Sequence, residues 1–153
     1  MDLTEIIGPQ DIMTNLAPSS RDDLLRDLAI FVARGTGTTP EAILELLLER
    51  EELGSTGIGA GIAVPHAIID GLVRPRATLA VLNYPVNYDA LDDLPVDLIF
   101  LLLTPKQNMA EHLRILQSFC RLTKRESFLS SLRQQKSAEE VYGLLKRSPG
   151  NVY

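Results

Sequence analysis

The chain has 153 residues, 45% of them hydrophobic and 23% charged. That suits one compact domain with a core that needs no staples, and argues against a disordered or fibrous chain. The formal net charge is −5 and the pI about 5.0, a balance opposed to the basic surface that non-specific nucleic-acid binding needs.

Arg21, Arg26, Arg74, Arg76, Arg114 and Arg121 are scattered and mark no basic patch in the sequence. The single cysteine, Cys120, excludes an internal disulfide and a cysteine zinc site and fits a reducing compartment. The start, Met1-Asp2-Leu3-Thr4-Glu5, lacks the basic opening and long apolar stretch of a signal peptide. The longest apolar run, Leu98 to Leu103, is too short to span a bilayer. The expected setting is the cytoplasm, without membrane insertion.

Pro9 and Pro18 break the opening segment, which reads as a short strand or turn around Glu5 to Ile7 and then loop. Ser20-Arg21-Asp22-Asp23 is close to a capping box, and Leu24, Leu25, Leu28, Phe31 and Val32 recur at helical spacing until Gly35 and Gly37. Thr39-Pro40-Glu41 starts a second helix, with threonine as cap and proline at the first helical position. Its apolar face is Ile43, Leu44, Leu47 and Leu48, and it runs out near Glu51.

Glycines at 54, 57, 59 and 61 rule out a stable helix over the next segment. Ile62 to Ile69 reads as a strand with Pro65 at an edge or bulge. Thr78 to Tyr84 and Val96 to Thr104 read as strands, the second buried on both faces. Asn87 to Pro95 is a polar connection between them. Asn108-Met109-Ala110-Glu111 predicts a capping box opening a helix through about Leu122. A shorter helix is expected over Glu126 to Arg133, and Ser137-Ala138-Glu139-Glu140 opens the last, to about Lys146. Helices around three or more strands make the class α/β. No repeat, low-complexity tract or linker divides residues 1–153, so a single domain is expected.

Two histidines exist, His66 and His112. Histidine is a nucleophile toward phosphorus and is largely neutral at cytoplasmic pH. A phosphorylated imidazole needs positive charge or hydrogen-bond donors around its oxygens. The neighbourhood of His66 could supply them: backbone N–H groups of Gly54, Gly57, Gly59 and Gly61, hydroxyls of Ser55 and Thr56, the planar fork of Arg50, and one donor from His112. Spacing alone leaves blander readings open. His66 could be a half-buried strand histidine, His112 a solvated residue near a helix start, Arg50 a surface arginine, and the glycine segment a plain connection. Neither the P-loop nor the dinucleotide fingerprint occurs. Two histidines without a close carboxylate triad make no zinc pattern, no Gly-x-Ser-x-Gly elbow marks a serine hydrolase, and Cys120 reads as core packing with Leu116 and Phe119.

The run Arg50-Glu51-Glu52-Leu53-Gly54-Ser55-Thr56-Gly57-Ile58-Gly59-Ala60-Gly61-Ile62-Ala63-Val64-Pro65-His66-Ala67 closely resembles the signature of the EIIA component of the bacterial phosphoenolpyruvate-dependent phosphotransferase system, fructose–mannitol family. Within it the chain is most similar to the nitrogen-regulatory branch. The resemblance continues through Asn15 to Arg21, Pro95 to Phe100, Glu111-His112-Leu113 with Leu116, and Ser137 to Leu145. It implies a mixed, mainly parallel β-sheet flanked by helices on both sides. It implies that His66 is the phosphorylated histidine, Arg50 the arginine stabilising the phosphoryl group, His112 an auxiliary histidine, and Ser55 and Thr56, with Gly57, the phosphoryl-binding approach loop. No cofactor and no metal are implied. The implied donor is an HPr-type phosphocarrier, in its nitrogen-branch version called NPr, and regulatory target proteins follow. The chain carries no cysteine-bearing EIIB segment and no membrane EIIC segment, so sugar transport by this chain alone is not expected. Two alternatives stay open: an EIIA of a sugar-uptake system that passes phosphate to a separate EIIB, and a regulatory binding module whose histidine does not turn over.

Overall fold

The computed structural model describes residues 2–147. Among them, β1 is Ile12–Leu16, α1 Arg21–Val32, α2 Pro40–Glu52, β2 Gly57–Gly59, β3 Ile62–Ala63 and β4 His66–Ile69. There follow β5 Arg76–Val86, β6 Val96–Pro105, α3 Met109–Arg121, α4 Glu126–Gln134 and α5 Ala138–Arg147. The strands form one mixed sheet in the order β1-β5-β6-β3-β2, with β4 also beside β6. The pairs β1/β5, β3/β6 and β4/β6 are parallel, and β5/β6 and β2/β3 antiparallel.

β6 is the spine, and its period-two alternation separates two cores. Leu98, Phe100 and Leu102 pack with Ile115 and Phe119 of α3, Leu129 of α4 and Val141 of α5. Ile99, Leu101 and Leu103 pack with Leu24 and Leu28 of α1 and Ile43 and Leu47 of α2. The expected double burial of this strand is observed, with Leu98 to Leu103 all at 0% exposure.

Both early helices begin where their caps predict. Ser20 Oγ accepts from Asp23 N–H at 3.1 Å, and Thr39 Oγ1 from Ala42 N–H at 3.2 Å.

Four expectations are corrected. Of the strand or turn expected around Glu5 to Ile7 the turn is found, a 3₁₀ turn at Leu3–Glu5, but the loop expected after it holds the first strand, at Ile12–Leu16. That strand's alternation is broken in the sequence because Asn15 takes φ 64° and the register slips between Thr14 and Leu16. Ile62 to Ile69 is two strands, β3 and β4, in one unbroken register along β6, Ile62 opposite Leu98 and His66 opposite Leu102. Pro65 has no N–H to give the ladder and marks the break. Asn108 makes no side-chain cap bond to α3: at φ −114°, ψ 50° it lies outside the extended conformation that capping uses. Cys120 is exposed, on the outer side of α3, while Phe119 beside it is buried.

Candidate functional site

The site forms at the edge of the sheet where β4 runs beside the end of β6. Hydrogen bonds show which way the chain faces there. Pro65 C=O accepts from Leu102 N–H at 3.0 Å, so that side meets β6. Val64 faces the other way: its N–H donates to Thr56 C=O at 2.9 Å, and its C=O lies 2.8 Å from His66 Nδ1. A carbonyl only accepts, so Nδ1 carries the proton and Nε2 the lone pair. Arg50, in the last turn of α2, donates from Nε to that Nε2 at 3.1 Å and from Nη1 to Gly54 C=O at 2.9 Å.

His112, in the first turn of α3, is buried, at 4% exposure. The two imidazole rings meet edge to face with centroids 5.4 Å apart. The buried Thr104 hydroxyl of β6 bonds His112 Nδ1, leaving Nε2 as the ring nitrogen available to a ligand. The reading of His112 as a solvated residue is thereby excluded.

Both imidazoles are held below the ordinary histidine value. For His66 the largest cause is burial; the Val64 carbonyl acts against it, the Arg50 charge with it and the Glu51 carboxylate against it. For His112 burial comes first and the neighbouring His66 second. Neutral imidazole, the nucleophilic form, is therefore favoured.

The remaining expected residues are engaged elsewhere. Ser55 Oγ donates to Tyr88 C=O at 3.2 Å and accepts from Gly57 N–H at 3.0 Å. Thr56 is buried; its N–H donates to Glu51 Oε2 at 3.0 Å and its hydroxyl bonds Glu51 Oε1. Gly57 packs so tightly that a Cβ there would sit 2.8 Å from the Ala90 Cβ. The hydroxyls of Ser55 and Thr56 and the N–H groups of Thr56 and Gly57 thus bind within the protein. They shape the loop, and Arg50 and His112 are the polar groups brought to the imidazole.

Three participants escaped sequence reasoning. Glu51 is 5% exposed, and Tyr88 at 0% donates its hydroxyl to Glu51 Oε1 at 2.7 Å. Burial, with the nearby Glu51 charge, pushes the Tyr88 phenol well above its usual value. Thr104 is the third. The adjacency of Glu51 to Arg50 was the one available signal, since neighbours on a helix point about 100° apart and cannot both face the site.

The chain matches, over residues 5–148, the family described as "Phosphoenolpyruvate-dependent sugar phosphotransferase system, EIIA 2". It belongs to that family. It is 35% identical over 152 residues to a nitrogen regulatory protein of Bradyrhizobium diazoefficiens, covering 99% of each chain. It is 37% identical over 144 residues to a nitrogen regulatory protein of Pseudomonas aeruginosa, covering 94% of each. The crystal structure of the nitrogen regulatory protein IIA-Ntr from Neisseria meningitidis superposes with a TM-score of 0.88 at 33% identity, covering 94% of this chain and 98% of that one. The fold is that of the EIIA proteins, the chain is a component of phosphotransferase type, and its likeness within the family is to the nitrogen-regulatory branch. Among the described residues no helix is long and apolar enough to cross a membrane.

Proposed function

We propose that this protein is a cytoplasmic phosphohistidine carrier, one EIIA-type domain, that takes a phosphoryl group onto Nε2 of His66 from an HPr- or NPr-type carrier and engages regulatory partners according to its phosphorylation state. The observation that carries this is the fixed imidazole. Val64 C=O holds the proton at Nδ1, so the lone pair at Nε2 is the nucleophile, and a cation already lies against it. In the transfer, the N–P bond on the donor imidazole breaks as the bond to His66 Nε2 forms, and the donor nitrogen recovers its electron pair. His66 keeps its Nδ1 proton on Val64. Arg50 then exchanges its bond to Nε2 for one to a phosphoryl oxygen, and His112 offers Nε2–H to another.

The surroundings suit a protein donor. An open groove of about 540 Å³ beside His66 is lined by Leu46, Leu53 and Ile68 among others. On α3, Met109 and Leu113, three residues before and one after His112, are exposed apolar side chains, at 42% and 56%, and we assign them to the rim of the site. A phosphoryl dianion in this rim changes which surfaces it accepts, the basis of a regulatory switch.

The test is label transfer from radioactive phosphoenolpyruvate, through the system's first enzyme and an HPr-type carrier. Acid-labile, alkali-stable label is expected on the wild type and none on His66→Ala. A folded wild type that takes no label from any such carrier overturns the proposal and favours a binding module. Onward transfer to a separate EIIB would direct the same chemistry to sugar uptake.

A further inference from the structure

We infer that Glu51, buried behind Arg50, is the positioning residue that fixes both nitrogens of His66; this rests on the carrier reading above. Two hydrogen-bonded paths leave the imidazole, one ending on the Glu51 carboxylate and the other on its main-chain carbonyl, within the turn that the carboxylate closes. From Nδ1 the path runs to Val64 C=O, from Val64 N–H to Thr56 C=O, and from Thr56 N–H to Glu51 Oε2, with lengths of 2.8, 2.9 and 3.0 Å. From Nε2 it runs to Arg50 Nε, from Arg50 Nη1 to Gly54 C=O, and from Gly54 N–H to Glu51 C=O, at 3.1, 2.9 and 3.1 Å.

The carboxylate closes the turn between α2 and β2. Its Oε1 also accepts from the hydroxyls of Thr56 and Tyr88, so both oxygens are committed. Tyr88 belongs to the β5–β6 connection, and Ser55 bonds its carbonyl, so the turn is fastened to a second segment. Among the described residues no salt bridge involves Glu51. A buried carboxylate that binds only neutral donors is costly unless every acceptor is used, and here they are. Glu51 does not touch the reacting atoms. It sets the loop whose Gly54 carbonyl anchors Arg50 and whose Thr56 carbonyl anchors Val64. Displacement of either anchor misaligns the lone pair, which is where small errors cost rate.

The experiment compares wild type, Glu51→Gln, Glu51→Asp and Tyr88→Phe in the full chain. Imidazole ¹⁵N spectra read the His66 tautomer without any phosphoryl donor, and transfer kinetics from the phosphorylated carrier separate kcat from KM. Glu51→Gln and Glu51→Asp are both expected to populate the other His66 tautomer. Both are expected to lower kcat about tenfold with KM unchanged, because the docking rim is untouched. Tyr88→Phe removes one donor to Glu51 Oε1 while keeping the Glu51–Thr56 contact, so it should shift the spectra and kcat in the same direction by less than either Glu51 variant. Wild-type spectra and kcat in Glu51→Gln overturn the inference. So does a defect in Glu51→Gln that is absent from Glu51→Asp, since that would be an effect of charge alone. If neither Glu51 variant folds by circular dichroism, Thr56→Val carries the test: a shift in the same direction sustains the inference, and unchanged spectra and rate overturn it. If wild type itself takes no phosphoryl group, the carrier reading fails, while the spectra still decide whether Glu51 holds the ring.

Discussion

At the residue scale the central fact is a histidine with both ring nitrogens accounted for, one donating to a carbonyl and one accepting from an arginine. The depressed affinity of His66 and His112 for protons has a definite sign. In the unfolded chain each takes up a proton near the ordinary value of about 6.5; the folded protein resists until the pH is lower. Between those points the unfolded state binds more protons, so this contribution to stability is complete above the ordinary value. It is lost as pH falls through the folded values. The phosphoryl-transfer rate should likewise be flat through neutral pH and fall only below the ordinary imidazole value. NMR titration of both rings beside the pH–rate profile checks this. A His66 midpoint at or above about 6.5 would contradict the burial argument. The sequence made His66, Arg50 and His112 visible as candidates. It did not make visible that the hydroxyls of Ser55 and Thr56 are bonded within the protein, because their acceptors, Glu51 and the Tyr88 carbonyl, become neighbours only in the fold. Hydroxyls beside glycines read equally well as an anion cradle and as loop fastenings. Only burial of the Glu51 carboxylate decides between them.

At the element scale, local chemistry foretold most starts and stops. Helices α1 and α2 begin at their predicted caps, and α5 follows Ser137, whose Oγ accepts from Glu140 N–H at 3.2 Å. The same signature failed at α3, where the resemblance of Asn108 to a cap is not matched by a cap bond. This contrast yields a paired prediction. Ser20→Ala should cost about 1 kcal/mol in urea unfolding, the usual value of a side-chain cap. Asn108→Ala should cost no more than a few tenths, because there is no such bond to lose. Equal losses at the two positions would mean that Asn108 caps α3 in solution. The strands were less legible than the helices. β6 announced itself as a continuous apolar run, but β1 is an edge strand whose pairing with β5 spans more than sixty positions and whose pattern is broken at Asn15. Long-range pairing leaves little trace in a local window. Pro65 was read as an edge or bulge, and the structure gives it a sharper role. Its own carbonyl meets Leu102 of β6, and the neighbouring Val64 carbonyl, on the opposite side of the chain, takes the imidazole proton.

At the scale of the whole molecule, the sheet brings together side chains from opposite layers. Arg50 comes from α2, which packs on the Ile99–Leu101–Leu103 face, and His112 from α3, which packs on the Leu98–Phe100–Leu102 face. They meet at His66 because β4 is the edge beside the last residues of β6, so helices from both layers overhang it. In the proposed docking surface, Leu46 and Leu53 of the groove at His66 form one wall, and the exposed Met109 and Leu113, three residues before and one after His112 on α3, are assigned to the other. Under the carrier proposal, a partner carrying phosphohistidine is expected to touch both to bring its phosphorus in line with Nε2. Leu113 is over half exposed and makes no part of either core, so a charge there should not disturb folding. Leu113→Glu is expected to raise KM for the phosphorylated carrier about tenfold, the effect of losing about 1.4 kcal/mol of apolar contact, with kcat unchanged. Tyr84, 78% exposed, lies toward the Val86 end of β5, whereas Ala77 near its start pairs with Leu102 beside His66. Tyr84→Ser should therefore leave KM as it is. A tenfold rise in both variants would signal a general loss of structure. An unchanged KM in Leu113→Glu would confine the carrier to the α2 wall and require it to approach His66 from one layer only.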